Sequence, residues 1–568
     1  MKPSVSILVL LLWGYVQGEL LTNGGFETLD PWSCYNFNCV LVNDKHSGQH
    51  AMKVSHRTVN YQGPSQIITV EQGKTYQASG YIKLLIDQAD HMSQRVAMEL
   101  ELRYQDGTKY YQEVAAHPPI KVADGWVQLR GQFAIPTKQI ERARVYYQGP
   151  IPSVSFLVDD ASVTELKLNH DDHTWRNITD QVIRTHRMSN IRINVTTAAT
   201  ISNEDVQIQV IQKKKSFPFG SAVSAVAYND PSQVKYRDFI GKHFNWAVPE
   251  NALKWKHIEP RQGHKDYQQA LDTVHGLKKQ GLKVRGHNLV WSKEPRIQSF
   301  VQAMSGDALR QEIKNHIEET MNKTRGLLQH WDVNNEMLHG TWYQDRLHDP
   351  DYNLELFRIA HHADPRVKLF LNDYQVVADG ALTEPYLAQA RHFKSANVGL
   401  YGIGVQCHFH DELEPNPYLI KQRLDLLAQA GLPIWVTELD VGAEDENKRA
   451  DFYEKALKSF YGHPAVEGIL FWGFWDQKDW RGEKAALVRG PNLELTAAGR
   501  RVLDLFENQW MTDETHVLSH SGHRINVLGF HGDYEVHVRY QGHERKDLVQ
   551  TFTLSPGQHT HTVSISVN

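Results

Sequence analysis

Eight short apolar runs punctuate the chain between Phe217 and Trp510, and amphipathic stretches fill the gaps between them. The runs cover residues 217–223, 246–252, 283–290, 330–335, 368–372, 402–407, 433–437 and 467–474. A strand covered on both faces reads as a continuous apolar run, and parallel neighbours need a crossover of a dozen or more residues. The gaps supply such crossovers. Residues 266–281 open on an N-cap candidate, carry Lys278 and Lys279 in the last turn and end in Gly281. Residues 418–431 and 496–510 read as further amphipathic helices. Eight βα units of this size specify a closed (β/α)8 barrel over residues 216–511.

The flanks follow the two-residue period of strands. Val96, Met98, Leu100, Leu102 and Tyr104 alternate with Glu99, Glu101 and Arg103, and Val127, Leu129, Phe133 and Ile135 repeat the pattern. Such runs between Gly, Pro and Asp clusters predict an all-β jelly-roll sandwich over residues 19–166. The polar stretch 169–173 opens a linker, 167–215, that holds two more strand patterns at Ile191, Ile193, Val195 and at Val206, Ile208, Val210. Alternation returns at Tyr534, Val536, Val538, Tyr540 and at Phe552, Leu554, Val563, Ile565. Residues 512–568 are therefore expected as a small β tail packing on the barrel.

Residues 1–18 read as a signal peptide: Lys2, an apolar run from Val5 to Tyr15, then Val16, Gln17 and Gly18. No later stretch is apolar for about 18 residues, so no membrane span is expected. The chain is expected to be secreted and extracellular. Sequons at Asn177, Asn194 and Asn322 fit a glycoprotein. Cys34 and Cys39 stand close enough to close a small loop in an oxidising compartment, which leaves Cys407, expected buried. With 61 Lys+Arg against 66 Asp+Glu, the formal charge of −5 provides no general pull on nucleic acid.

In a (β/α)8 barrel the chemistry gathers where the strands end. Here polar residues follow seven of the eight runs: Glu250, Asn251 and Lys254; Arg285, His287, Asn288 and Trp291; Asp332, Asn335 and Glu336; Asn372, Asp373 and Tyr374; Gln406 and His408; Glu438 and Asp440; Trp472, Trp475 and Asp476. Ionisable groups at that many strand ends cost desolvation energy unless they are paired or used. Glu336 and Glu438 close runs four and seven, which face each other across a barrel mouth. Paired carboxylates across a cleft suit glycoside hydrolysis, with one carboxyl as proton donor and the other as ionised nucleophile. His408 is placed to hydrogen-bond Glu438, with Asp440 orienting the imidazole.

The motifs Glu250-Asn-Ala-Leu-Lys-Trp255, Arg285-Gly-His287, Asp332-Val-Asn-Asn-Glu336, Leu371-Asn-Asp-Tyr374, Gly404-Val-Gln-Cys-His408, Thr437-Glu-Leu-Asp440 and Trp472-Gly-Phe-Trp475 occur in that order. Together they resemble glycoside hydrolase family 10, the endo-β-1,4-xylanases, in its eukaryotic, plant-like form. The resemblance implies a retaining double displacement with Glu336 as acid/base and Glu438 as nucleophile. It places His408, Asp440, Asn335 and Asp332 in support. It lines the cleft with Glu250, Asn251, Lys254, His287, Trp291, Asn372, Tyr374, Gln406, Trp472, Trp475 and Trp480. One departure stands out: many members carry His-Ser-Gln after the Trp of strand three, where this chain has Ser292-Lys-Glu-Pro295. That substrate contact has no assigned residue.

The segments Leu21-Thr-Asn-Gly-Gly-Phe-Glu27 and Val158-Asp-Asp-Ala-Ser-Val163 resemble the ends of a carbohydrate-binding module of the family 4/9/22 type. That resemblance implies sugar-stacking aromatics, with Trp32, Tyr35, Tyr61, Tyr104 and Tyr147 as candidates, and a structural Ca2+ near Glu27 and Asp160. Catalysis needs no cofactor on this reading. The expected partner is a polysaccharide, xylan or a related β-1,4-glycan, met by a monomer without nucleic acid or membrane. Cleavage of β-1,4-glucan, alone or beside xylan, stays open. A non-catalytic glycan-binding barrel would need a missing carboxylate, and both are present.

Overall fold

The computed structural model describes residues 16–85, 93–168, 174–519 and 524–568. Of the leader read over residues 1–18, residues 1–15 lie outside them and Val16–Gly18 belong to the strand Val16–Glu19, which pairs with Phe156–Leu166; the polar stretch 169–173 also lies outside. Two compact units divide the chain: one runs to Thr174 and includes Asp379–Leu382, and the other comprises Trp175–Ala378 and Thr383–Asn568.

The second unit holds a closed ring of eight parallel strands: Phe219–Val223, Trp246–Pro249, Lys283–Gly286, His330–Asn335, Lys368–Asp373, Leu400–Val405, Ile434–Gly442 and Val466–Phe471. We number them one to eight. Strand one pairs with both strand two and strand eight, which closes the barrel. Trp246, Val248, Phe370, Trp435, Leu470 and Trp472 pack together in one buried cluster, and His330 stands within ring contact of Trp246, Phe370 and Trp435. Helices alternate with the strands. Asn416 caps Pro417–Ala428 by accepting from the Tyr418 and Leu419 amides at 3.0 and 3.1 Å. The helix read over 496–510 is α-helical across Ala497–Asp504, and Leu505–Gln509 then widens into a π-helical turn.

The linker and the tail prove to be one structure. Met188–Thr197 lies between Arg524–Phe530 and Thr560–Val567 in a three-stranded sheet. Val206–Lys215 lies between Asp513–Val517 and Gly532–Tyr540 in a five-stranded one. Ile191, Ile193, Val195, Ile208, Val210, Val536, Val538 and Ile565 share one buried core between them. Each segment alone has too few strands to cover its own apolar face. The expected linker and appendage are therefore corrected to two halves of one β sandwich, with the barrel inserted between them in sequence.

The first unit is all-β. Ten antiparallel strands enclose a core of Met52, Val54, Ile82, Val96, Met98, Leu100, Val145 and Val158. Trp32, Tyr104 and Tyr147 belong to that core, so the sugar-stacking role expected of them is corrected; Tyr35 and Tyr61 are exposed. Cys34 and Cys39 are disulfide-bonded, and Cys407 is free and buried. The two carboxylates expected near a calcium, Glu27 and Asp160, are tied to neighbouring residues. The Glu27 oxygens take the Gln49 amide at 2.6 Å and His50 at 3.4 Å. The Asp160 oxygens take Ser47 and His46, both at 2.7 Å. Among the described residues no group of three His, Cys, Asp or Glu is gathered to hold a metal.

The split sandwich makes a testable claim. Ile208 comes before the barrel and Ile565 after it, yet both sit in the same core. Replacing either by Ala is expected to cost about 2–5 kcal/mol in urea unfolding of the full chain. An Ile565→Ala protein that unfolds like wild type would separate the tail from that core.

Candidate active site

Glu336 follows an irregularity in its strand and Glu438 lies within one. The register of strand four against strand five shifts between Asp332 and Asn335, and that of strand seven against strand eight between Val436 and Leu439. An extra residue in a ladder re-aims the side chains beside it. Glu336 follows at once with φ +62°, and its amide is held by the Asn372 carbonyl at 3.0 Å. A non-glycine residue there costs of order 1–3 kcal/mol, which the surrounding hydrogen bonds must offset.

Glu438 is buried and well supplied with donors. Asn372 Nδ2 donates to Oε1 at 2.8 Å, and His408 Nε2 donates to Oε2 at 3.3 Å. Burial alone would raise this carboxyl. The His408 hydrogen bond, the charges of His287 and His408 and the Asn372 bond instead bring it down to about 2. His408 lies on a short strand, His408–His410, paired with the extension of strand seven so that His408 stands opposite Asp440. Burial disfavours charge on its imidazole, but the Asp440 charge and a 2.9 Å hydrogen bond, with those of Glu438, push it up to about 10. Asp440 also accepts from Trp480 Nε1 at 2.7 Å and ion-pairs with Arg481 at 3.3 Å.

Glu336 has weaker company. Asn335 Nδ2 and Gln406 Nε2 donate to Oε1 at 3.3 and 3.2 Å, and Lys293 Nζ lies 3.5 Å from Oε2. The two carboxyls are joined through amides, because Asn372 Nδ2 also donates to Asn335 Oδ1 at 2.8 Å. Thr437 anchors that amide by donating to Asn372 Oδ1 at 2.6 Å. Gly404 leaves room for it: a Cβ there would stand 2.6 Å from the same oxygen.

The remaining predicted residues divide into wall and support. Lys254 Nζ donates to Asn251 Oδ1 at 2.8 Å and lies 5.0 Å from the Trp291 ring and 5.7 Å from that of Trp472. Burial lowers Lys254 and raises its neighbour Glu250. His287 meets the Trp472 ring edge-on at 5.0 Å and is held by Asp332 at 2.9 Å. Asp332 is buried in an ion pair with Arg285, so it supports the wall from behind. Tyr374 stacks on His339 at 3.6 Å and accepts from Lys293 at 3.2 Å. Trp480 is 58% exposed beside His408. Trp475 is the correction. Its ring is buried against Tyr236, and its Nε1 donates to the Gly490 carbonyl at 2.9 Å, so it offers no face to a ligand.

Thr437, Lys293, Arg481 and His339, which pairs at 2.7 Å with the strand-end Asp373, complete the surroundings, and of these only Asp373 was singled out from sequence. Thr437 and Asp373 adjoin Glu438 and Asn372, but adjacency alone does not say which way a side chain turns.

The opposed shifts of Glu438 and His408 give a signed expectation. The low Glu438 value contributes stability that is present above its ordinary 4.5 and lost as pH falls toward 2. The high His408 value contributes stability that is present below its ordinary 6.5 and lost as pH rises through 10. The stability gap between wild type and His408→Gln should thus be widest between pH 4.5 and 6.5 and narrow on either side. Urea midpoints across that range measure it, and a pH-independent gap would contradict the ion pair.

The chain resembles proteins of known kind. It is 31% identical to endo-1,4-beta-xylanase 2 of Arabidopsis thaliana over 500 residues, 87% of this chain and 44% of that protein. It is 31% identical to endo-1,4-beta-xylanase 1 of the same plant, over 88% of this chain and 50% of that one. The chain thus spans about half the length of these curated relatives. Identity to a beta-1,4-xylanase of Dictyoglomus thermophilum is 30%, over 47% of this chain and 80% of the other. Residues 18–155 match the model of a carbohydrate binding domain. Residues 208–504, the barrel with its carboxylates, match the model of glycosyl hydrolase family 10, and the chain belongs to that family.

Proposed function

We propose that this protein is a secreted endo-β-1,4-xylanase that cleaves with retention of anomeric configuration. The observation that carries this reading is the contrast between the two carboxyls. Glu438 faces a charged donor and an amide and is ionised, as a nucleophile must be. Glu336 accepts from the neutral amides of Asn335 and Gln406 on one oxygen, with Lys293 Nζ 3.5 Å from the other.

In the first step a Glu438 oxygen attacks the anomeric carbon. The glycosidic C–O bond breaks, and the Glu336 proton passes to the leaving oxygen. The product is a glycosyl ester on Glu438. A water then gives its proton to the Glu336 carboxylate and attacks the same carbon, and Glu438 leaves as a carboxylate. Asn335 is placed to hold a sugar hydroxyl beside the reacting carbon, and half-buried Trp291 presents a ring for a sugar face. The N-terminal module serves as a polysaccharide anchor. Xylan as substrate is supported by the names of the relatives. One other relative, 29% identical over 82% of this chain, is named exoglucanase XynX, which keeps β-1,4-glucan as the second reading. Secretion is supported by the leader-like residues 1–18.

Glu438→Gln is expected to abolish hydrolysis of xylo-oligosaccharides while still binding them. Glu336→Gln should lower kcat by ~10²–10⁴ on natural linkages. Proton NMR of the first product formed should show the β anomer, and an α anomer would refute retention. Equal or better turnover of cello-oligosaccharides would move the assignment to glucan.

A further inference from the structure

Behind the wall formed by Asn251, Lys254 and Trp291 opens a cavity of about 200 Å³. Its lining carries three cations, Lys254, Lys256 and Arg296, with His257 beside them and no Asp or Glu among the lining residues. Arg296 lies 4.9 Å from the Trp291 ring, and Lys254 lies 5.0 Å from it. Trp291 Nε1 is buried without an acceptor. Among the described residues, Lys256, His257 and Arg296 form no ion pair with a carboxylate. Burial and the charges of Lys254 and Lys256 hold His257 below its ordinary value, while the charges of Glu438, Glu250 and Glu336 act on Lys254.

A bare β-1,4 chain of neutral sugars gives these cations nothing to bind. Gathering like charges costs free energy unless water or an anion compensates them. Arginine's planar fork suits a carboxylate or sulfate bidentately, and the orphan indole N–H adds a donor beside it. Resting on the glycosidase reading above, we infer that this cavity receives an anionic substituent, carboxylate or sulfate, carried by a sugar of the substrate next to the Asn251–Trp291 wall. The preferred polymer is then an acidic β-1,4-glycan rather than the unsubstituted one.

The test compares the full chain with Arg296→Gln and Lys256→Gln on three polymers: linear neutral xylan, uronate-substituted xylan and sulfated xylan. Wild type should favour one acidic polymer in kcat/KM at low salt, and which one identifies the anion. Each variant should lower kcat/KM on that polymer by ~10-fold and leave linear xylan unchanged, since a charge-assisted hydrogen bond contributes about 1.5–3 kcal/mol. Raising the salt to about 0.5 M should shrink the preference. Equal losses on acidic and neutral polymers would overturn the inference, reducing Arg296 to a prop for the Trp291 ring. Lys256 makes no such ring contact and keeps that distinction readable. Absence of an acidic preference in wild type would also overturn it. If no xylan were cleaved at all, the xylanase reading would fail. Calorimetric binding of a uronate-bearing xylo-oligosaccharide would then decide for the cavity. Tenfold weaker binding by Arg296→Gln supports it, and equal binding refutes it.

Discussion

A carboxylate cannot stay ionised in a protein interior without donors to replace its water. Glu438 is buried and ionised, and much of the barrel's upper rim serves that requirement. His408 brings a positive charge from beyond strand six, and Asp440 two residues along strand seven holds that charge in place. Trp480 and Arg481, from the loop after strand eight, hold Asp440 in turn. Asn372 from strand five supplies the second donor, Thr437 fixes its amide, and the missing Cβ of Gly404 leaves it space. Four elements far apart in sequence are thereby committed to one side chain, and only a closed barrel brings their ends within hydrogen-bond reach.

Backbone irregularity is concentrated at the same rim. Glu336, Gln375 and Cys407 follow strands four, five and six, and all three have positive φ. None is a glycine, so each is held against its own preference. Cross-strand bonds do the holding: Glu336 N to Asn372 O, Gln406 N to Asp373 O and Glu438 N to Gln406 O, at 3.0, 3.0 and 3.1 Å. The chain of backbone bonds runs sideways around the barrel, parallel to the chain of side-chain bonds above it. A barrel that closed with one strand out of register would lose both.

The eight strands and the two carboxylates are legible in sequence because their signals are local. An apolar run of four to eight residues ending in a charged one needs no distant information to be read. What escapes reading depends on distance. Ile193 and Ile208 announce strands, but nothing in their alternation says that Ile565 and Val536, hundreds of residues later, share their core. Lys256 sits in the short helix Trp255–Ile258 and Arg296 in the turn of 3-10 helix Glu294–Arg296, and their common cavity exists only after folding. Trp475 fails for another reason. It occupies the same strand-end context as Trp472, and local pattern cannot distinguish a ring facing the cleft from one facing a helix.

The packed rings of Trp475 and Trp255 differ from that of Trp291 in the fate of the indole N–H. A tryptophan used for packing brings a polar group into the interior, and the fold must satisfy it. Trp475 donates to the Gly490 carbonyl and Trp255 to Glu259, and both rings are buried. Trp291 is half-buried with its Nε1 unbonded at the edge of a cavity, and two cations lie over its ring. A donor left unsatisfied costs about 1–3 kcal/mol, a cost the folded protein bears for no packing gain. The aromatic richness of this chain, 14 Trp and 23 Tyr, is thus not one property. Trp475 and Trp255 pack with their indole N–H groups bonded, and Trp291 keeps an unbonded one at the edge of a cavity.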